Sequence, residues 1–301
     1  MKKMVKVVRL GAMVAMFAAS LSFSSCAQSC TPAKGEEQQK QEEETPAPVE
    51  YDVYLLIGQS NMAGRGAMLE GDDAPIEGAW LLNAQDVPEP AAAPMNRHST
   101  IRKGIKMQAI NPAWSFAKEV AAKSENPVLI VCNARGATTL GMWLKGAAER
   151  TYSQKEGDDE WLWGQPIPNH FNEAVRRCKE AMKYGKLKGI IWHQGCGNSQ
   201  PNTVGSYLPA LKKFVRDLRA ELGVGTEVPF IAGEIYYGYV NAQYFNPVIR
   251  QIGDYVEGGY WVSAEGCTAN SDNVHFDRAG QILLGERYAA KLFEVLNEEA
   301  K

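Results

Sequence analysis

The sequence predicts an α/β domain: a mainly parallel sheet with helices on both faces. Three observations carry that expectation. Short apolar runs alternate with segments of helical period from Tyr51 to the carboxyl terminus, the pattern of a sheet whose parallel strands are joined by helices. Four of the apolar runs end in small or polar residues, at Gly58–Asn61, Asn133–Thr138, Gln194–Asn198 and Gly233-Glu234. In a parallel sheet such ends lie along one edge, where α/β proteins bind their ligands. About 250 residues remain once the first fifty are set aside, enough for one domain with a substantial core.

The first fifty residues read differently from the rest. Lys2, Lys3, Lys6 and Arg9 precede an apolar run, Leu10–Phe23, and then Ser24-Ser25-Cys26. A charged start, a short apolar stretch and small residues describe a secretory signal peptide, and the run is too short for a membrane span. Small residues before Cys26 resemble a lipoprotein cleavage site. Residues 1–26 are therefore expected to be a lipoprotein signal peptide, with Cys26 lipid-modified. The protein is then expected to be exported and membrane-anchored, facing the periplasm or the cell surface; plain secretion with cleavage near Ala27 is the alternative. Residues 27–50, which include GEEQQKQEEETPAPVE, hold too little apolar surface for a core and read as a disordered acidic linker. The domain is expected over residues 51–298.

Taken in order, YDVYLLIG (Tyr51–Gly58) is a buried strand that Gly58 ends, with a turn or helix starting near Met62. Ser60 stands at that turn, where it is either an exposed nucleophile or only a helix N-cap. Met68–Pro94 is rich in Gly, Pro, Asp and Ala and reads as a long loop with one strand at Ala79–Leu82. His98 reads as a solvated loop histidine. Pro112 opens a helix over Asn111–Ser124, and Val128–Cys132 is the next strand. Ile167–Tyr184 is a helix with His170 on its surface or packing, followed by a strand at Leu187–His193. Val204–Leu222 is a helix with Tyr207, Leu211, Phe214 and Leu218 on one face. A strand at Val228–Ala232, a helix at Pro247–Glu257, a strand at Tyr260–Ser263 and a helix at Arg278–Asn297 complete the domain.

The net charge of −3 and the absence of a basic block beyond the amino terminus exclude nucleic acid as the natural partner. Cys132, Cys178, Cys196 and Cys267 form no CxxC pair, so no zinc site is expected. Disulfides are permitted in an exported protein, and free buried thiols are the equal alternative.

Asp272 and His275 lie three residues apart in SDNVHFD, just before the closing helix. An acid beside an imidazole fixes its tautomer, and the imidazole then serves as base for a serine. GQSNMAGRG, ARGATTL, WHQG and DNVHFDRAGQ occur in that order, each at a strand end or helix start. With these blocks, from about Val53 to Leu296, the sequence resembles the SGNH hydrolase superfamily. Within it, the chain looks like the carbohydrate acetylesterases grouped with acetylxylan esterases and sialate O-acetylesterases.

The resemblance implies a three-layer α/β/α sandwich of flavodoxin-like kind. Ser60 is then the nucleophile, His275 the general base and acid, and Asp272 its orienting partner. The Ser60 and Gly136 backbone N–H groups and the Gln194 side-chain amide would form the oxyanion hole. Gln59, Asn61, Arg135 and Glu234 are weaker candidates for the substrate pocket, and bracing is the preferred role for Glu234. His193 reads as structural. Two departures from the family pattern stand out: Cys196 where Glu is frequent, and Ala137 where a second glycine is common. Cys196 and Cys267, both placed near the same edge, are a candidate disulfide. The implied activity is removal of O-acetyl groups from carbohydrate, acetylated xylan or a related glycan, without metal or organic cofactor. A sialate O-acetylesterase and a non-catalytic surface glycan-binding lipoprotein are the alternatives.

Overall fold

In a computed structural model, residues 50–104, 109–155, 157 and 159–299 are described. The expected signal peptide, the acidic linker up to residue 49 and Cys26, expected to carry a lipid, lie outside the described residues.

The sheet is built from β1 (Tyr51–Gly58), β2 (Ala79–Leu82), β3 (Pro88–Pro90), β4 (Val128–Ala134), β7 (Gly185–His193), β8 (Phe230–Gly233) and β9 (Gly259–Val262). Its order is β3-β2-β4-β1-β7-β8-β9. Every pairing is parallel except β2 with β3. β1 is central, and residues Val53–Gly58 are all buried. Its side chains alternate between two cores, as a strand covered on both faces requires. Val53, Leu55 and Ile57 pack with α3 (His170–Ala181), α4 (Tyr207–Leu222) and α5 (Ala242–Ile249). Tyr54 and Leu56 pack with α2 (Pro112–Ala121) and α7 (Arg278–Glu299). Each such aliphatic side chain contributes about 1.5–3 kcal/mol by leaving water. Tyr207, Leu211, Phe214 and Leu218 of α4 are all buried on one face.

Three elements depart from the sequence expectations. The Met68–Pro94 segment holds two strands, since β2 pairs antiparallel with β3. β3 lies at the sheet edge, where prolines cost no ladder hydrogen bond. α3 starts at His170 because Pro166-Ile167 (β6) pairs with Arg150-Thr151 (β5). Asn169 then caps the helix, its Oδ1 accepting from the Asn172 N–H at 3.0 Å. His170 is buried against the edge of Trp143, with ring centroids 5.2 Å apart. The helix expected to open at Pro247 begins earlier, with Pro247 inside α5, and breaks before α6 (Ile252–Tyr255). Asn246 explains the earlier start: its side chain both accepts from Ile235 N–H and donates to Ile235 O, at 3.0 Å each, docking α5 beneath the loop after β8.

The expected Cys196–Cys267 disulfide is not made. All four cysteines among the described residues are free. Cys196 packs against the core on one face of the sheet and Cys267 belongs to the core on the other.

His193, at the end of β7, is buried and bonds through Nδ1 to the Tyr288 hydroxyl at 2.9 Å, against the edge of Phe276. Burial lowers its pKa from 6.5 to about 3. The unfolded chain therefore binds a proton that the folded chain refuses between those values. The stability conferred by neutral His193 is complete above pH 6.5 and is lost as pH falls toward 3. Chemical denaturation of wild type should lose up to about 1.4 kcal/mol per pH unit in this window from this one group. His193→Phe should show a shallower slope; an unchanged slope contradicts the assignment.

Candidate active site

The site begins where β1 stops. Gly58 has φ 145°, and a Cβ there would lie 2.2 Å from the His193 carbonyl oxygen, so only glycine passes this point. Gln59 is extended (φ −102°, ψ −153°) and occupies the N-cap of the short helix α1 (Ser60–Ala63). Ser60 is its first helical residue and caps nothing. Its hydroxyl is free to donate to His275 Nε2, 2.8 Å away and 215 residues distant in sequence.

His275 is held by a compact turn. Asp272 Oδ1 accepts from the Val274 and His275 N–H groups, each at 2.9 Å, and Oδ2 accepts from His275 Nδ1–H at 2.6 Å. Asn273 between them takes the left-handed conformation (φ 54°), which asparagine tolerates well. Partial burial pushes the Asp272 pKa up. The two N–H groups and the imidazole outweigh that push and bring it down to about 2. With Nδ1 carrying the proton toward the carboxylate, Nε2 presents its lone pair to Ser60.

Asn61, next to the serine, fastens this turn to α1. It is fully buried. Its Nδ2 donates to Val274 O at 3.3 Å and its Oδ1 accepts from Phe276 N–H at 3.0 Å. It thus grips the backbone on both sides of His275 and does not reach the substrate cavity. Gln281 of α7 donates to the same Oδ1 at 3.3 Å.

A cavity of about 380 Å³ opens on Ser60 and His275. Gln59, Gly136, Thr138, Cys196 and the cations Arg65 and Lys103 are among its lining residues. A Cβ on Gly136 would stand 3.0 Å from Arg65 Nη2 and 3.6 Å from Ser60 Cβ, so a side chain there would crowd the Arg65 guanidinium. Among the described residues, neither the Ser60 nor the Gly136 N–H donates to a protein group. Ala137 follows in the left-handed region (φ 58°), which accounts for glycine being common at this position.

Gln194 is held differently from expectation. Its Nε2 faces Gln59 Oε1 (3.1 Å), Thr138 O (3.1 Å) and Asn198 Oδ1 (2.8 Å), and the side chain does not line the cavity. Arg135 lies buried over the Tyr152 ring, with Nη1 donating to Ile101 O at 2.8 Å. Glu234 is fully buried and accepts from Arg250 Nε at 2.6 Å and from Ser263 Oγ and Ala264 N–H at 3.0 Å each. It braces three loops. His98 pairs with Glu89 at 2.8 Å. None of these three lines the cavity. Sequence reasoning passed over Arg65 and Lys103. Arg65 lies inside the GQSNMAGRG block, whereas Lys103 sits in an irregular segment with no pattern to mark it. A larger cavity of about 620 Å³ runs along β9 past Trp261 and Arg250, but it holds no paired nucleophile and base.

The model of the carbohydrate esterase, sialic acid-specific acetylesterase family matches residues 50–294. The chain belongs to this family. As a member it is a carboxylic ester hydrolase that deacetylates carbohydrate. A probable carbohydrate esterase of Arabidopsis thaliana is 27% identical over 267 residues, 82% of this chain and 91% of that protein. The solved structure of that Arabidopsis protein superposes with a TM-score of 0.68 at 22% identity, covering 81% of this chain and 98% of the other. NanS gives 0.61 at 16% identity over 83% and 99%. A carbohydrate acetylesterase from Xanthomonas citri gives 0.57 at 19% identity, over 82% of this chain and 57% of its own. These likenesses establish a shared fold with the esterase family.

Asn61→Ala removes both grips on the His275 backbone. It should lower kcat on a small acetyl ester about 100-fold, the order expected when a catalytic group shifts by about 1 Å, with KM little changed. Steady-state kinetics on a variant shown to be folded checks this; an unaltered kcat contradicts it.

Proposed function

We propose that the chain removes O-acetyl groups from carbohydrate through an acetyl-enzyme on Ser60. The reading is supported above all by the continuous contact Ser60–His275–Asp272, assembled from two ends of the domain. As Ser60 Oγ attacks the acetyl carbonyl, its proton passes to His275 Nε2, and the Asp272 carboxylate stabilises the imidazolium. The developing oxyanion meets the Ser60 and Gly136 N–H groups. His275 then gives its proton to the departing sugar oxygen. Water, deprotonated by His275, attacks the acetyl ester, and acetate leaves as Ser60 regains a proton.

Ser60→Ala should lower turnover of acetylated xylan and of a small acetyl ester by at least about 10⁴-fold. Equal turnover by the two proteins rejects the mechanism. Asp272 stays ionised down to about pH 2, so loss of its charge accounts for no fall in activity above that value.

The two cations at the cavity favour an acidic sugar over neutral xylan. Arg65 and Lys103 stand beside Ser60 and Gly136, where a carboxylate on the sugar is attracted at short range. An acetylated sialic acid is the substrate class that fits both these charges and the family. Lys103→Met should lower kcat/KM for the acidic ester about tenfold relative to a neutral one, near 1.4 kcal/mol; an unchanged ratio favours the neutral glycan.

The basic and apolar start of the chain supports export, with a lipid on Cys26 anchoring the domain outside the cytoplasm. Cys26→Ser should move the protein from the membrane to the soluble fraction; retention at the membrane contradicts the anchor.

A further inference from the structure

The cavity of about 620 Å³ along β9 takes no part in the mechanism above. β9 is the last strand of the sheet, so one row of its backbone groups has no strand beside it. Phe230 N–H donates to Gly258 O at 2.9 Å, and Glu234 N–H donates to Val262 O at 3.1 Å. By the alternation of a parallel ladder, Gly258, Tyr260 and Val262 face β8, and the Trp261 N–H and C=O face outward. The cavity is laid along Gly259–Ser263. Arg287 and Lys291, one turn apart on α7, form one wall, and Arg250 at the end of α5 stands on the other.

Two guanidinium groups converge on Ser263 from these walls. Arg287 Nη1 donates to Ser263 O at 2.7 Å. Arg250 Nε donates to Glu234 Oε1 at 2.6 Å, and Glu234 Oε2 accepts from Ser263 Oγ at 3.0 Å. Arg250 Nη2 also donates to the Tyr237 hydroxyl at 2.6 Å. Glu234 balances Arg250, and Glu294 balances Lys291 at 2.7 Å. Arg287 pairs with no carboxylate among the described residues. Its Nε and Nη2 have no protein acceptor there and are not fully buried. The cavity therefore keeps one positive charge in excess. Charged side chains commonly guard a sheet edge, but a guarding charge needs no such fixed geometry. Trp261 also lines the cavity, its ring centroid 5.6 Å from the Arg250 guanidinium carbon.

We propose that this cavity is a non-catalytic binding site for an acidic sugar of a glycan. Arg287, with Arg250 beside it, holds the sugar carboxylate, which a planar guanidinium matches with parallel N–H groups. Trp261 packs against the apolar face of the ring, and its outward N–H and C=O meet ring hydroxyls. The occupant is a carbohydrate because the family acts on carbohydrate, and an acidic one because of the unbalanced Arg287. No bond is made or broken here. A glycan held at this site keeps its acetylated units at high effective concentration near the catalytic cavity. The site does not depend on which residue is the nucleophile.

The direct test is a structure of the chain saturated with 3′-sialyllactose, which carries no O-acetyl group. The expected result is a carboxylate oxygen within about 3.2 Å of an Arg287 nitrogen. Sugar found only at the catalytic cavity, or nowhere, overturns the proposal. Calorimetric titration gives an independent reading. Arg287→Gln should weaken sialyllactose binding at least about tenfold, the loss typical of a hydrogen bond to a charged group. Ala290→Glu, on the exposed face of α7 at the same wall, should weaken it as well while leaving Arg287 in place. Unchanged affinity in both variants, shown to be folded, overturns the proposal, as does lactose binding as tightly as sialyllactose. An oligoglutamate peptide that binds along β9 where sialyllactose does not would mark the edge as a strand-docking site instead and reject the sugar. Because no ester is cleaved in these measurements, failure of the Ser60 mechanism would leave their outcome standing.

Discussion

One buried asparagine joins the two ends of this domain. Asn61 follows the nucleophile directly and holds the chain on either side of His275, through Val274 O and Phe276 N–H. Without that grip the imidazole sits on a surface turn held by Asp272, whose side chain is 47% exposed, and by the Asn270 N–H bond to His275 O. The 2.8 Å contact between Ser60 and His275 thus depends on a residue that touches neither ring nor hydroxyl. Burial strengthens the arrangement: in a low-dielectric setting an unpaired Asn61 amide is expensive, so the joined state is strongly preferred.

The fold supplies what this contact needs. β1 is the central strand, buried on both faces, and it delivers Ser60 to the carboxyl edge of the sheet. Gly58 and the His193 carbonyl approach too closely for any side chain, which fixes the direction of the turn. β4 and β7 flank β1 and lead into Gly136 and Cys196, so the cavity is lined by the segments that follow adjacent strands. α7 closes the far face against α2, with Ser115 donating to Ile282 O at 2.8 Å, and so anchors the turn that bears His275.

Much of this was legible in the sequence. The strand ends could be read because an apolar run between helical segments forms a buried strand, and a Gly or polar residue is what stops it. Ser60, Asp272 and His275 stood out through the four ordered blocks that carry the family resemblance, since the spacing of acid and base is a weak signal by itself. The less legible parts depend on partners distant in sequence. Nothing near Pro247 shows that Asn246 will dock on Ile235 and start α5 early. Cys196 and Cys267 share a sheet edge in the sequence pattern, yet their side chains serve opposite faces. Lys103 lies in an irregular stretch, where no periodicity can signal a cavity.

The most direct test of the joined site is chemical capture of its intermediate. Wild-type protein mixed with an activated acetyl ester and quenched in acid at successive times should carry a single acetyl group on the peptide containing Ser60, appearing before acetate accumulates. Acetate released with no acetyl on Ser60 at any time, or acetyl found on another residue, would contradict the account.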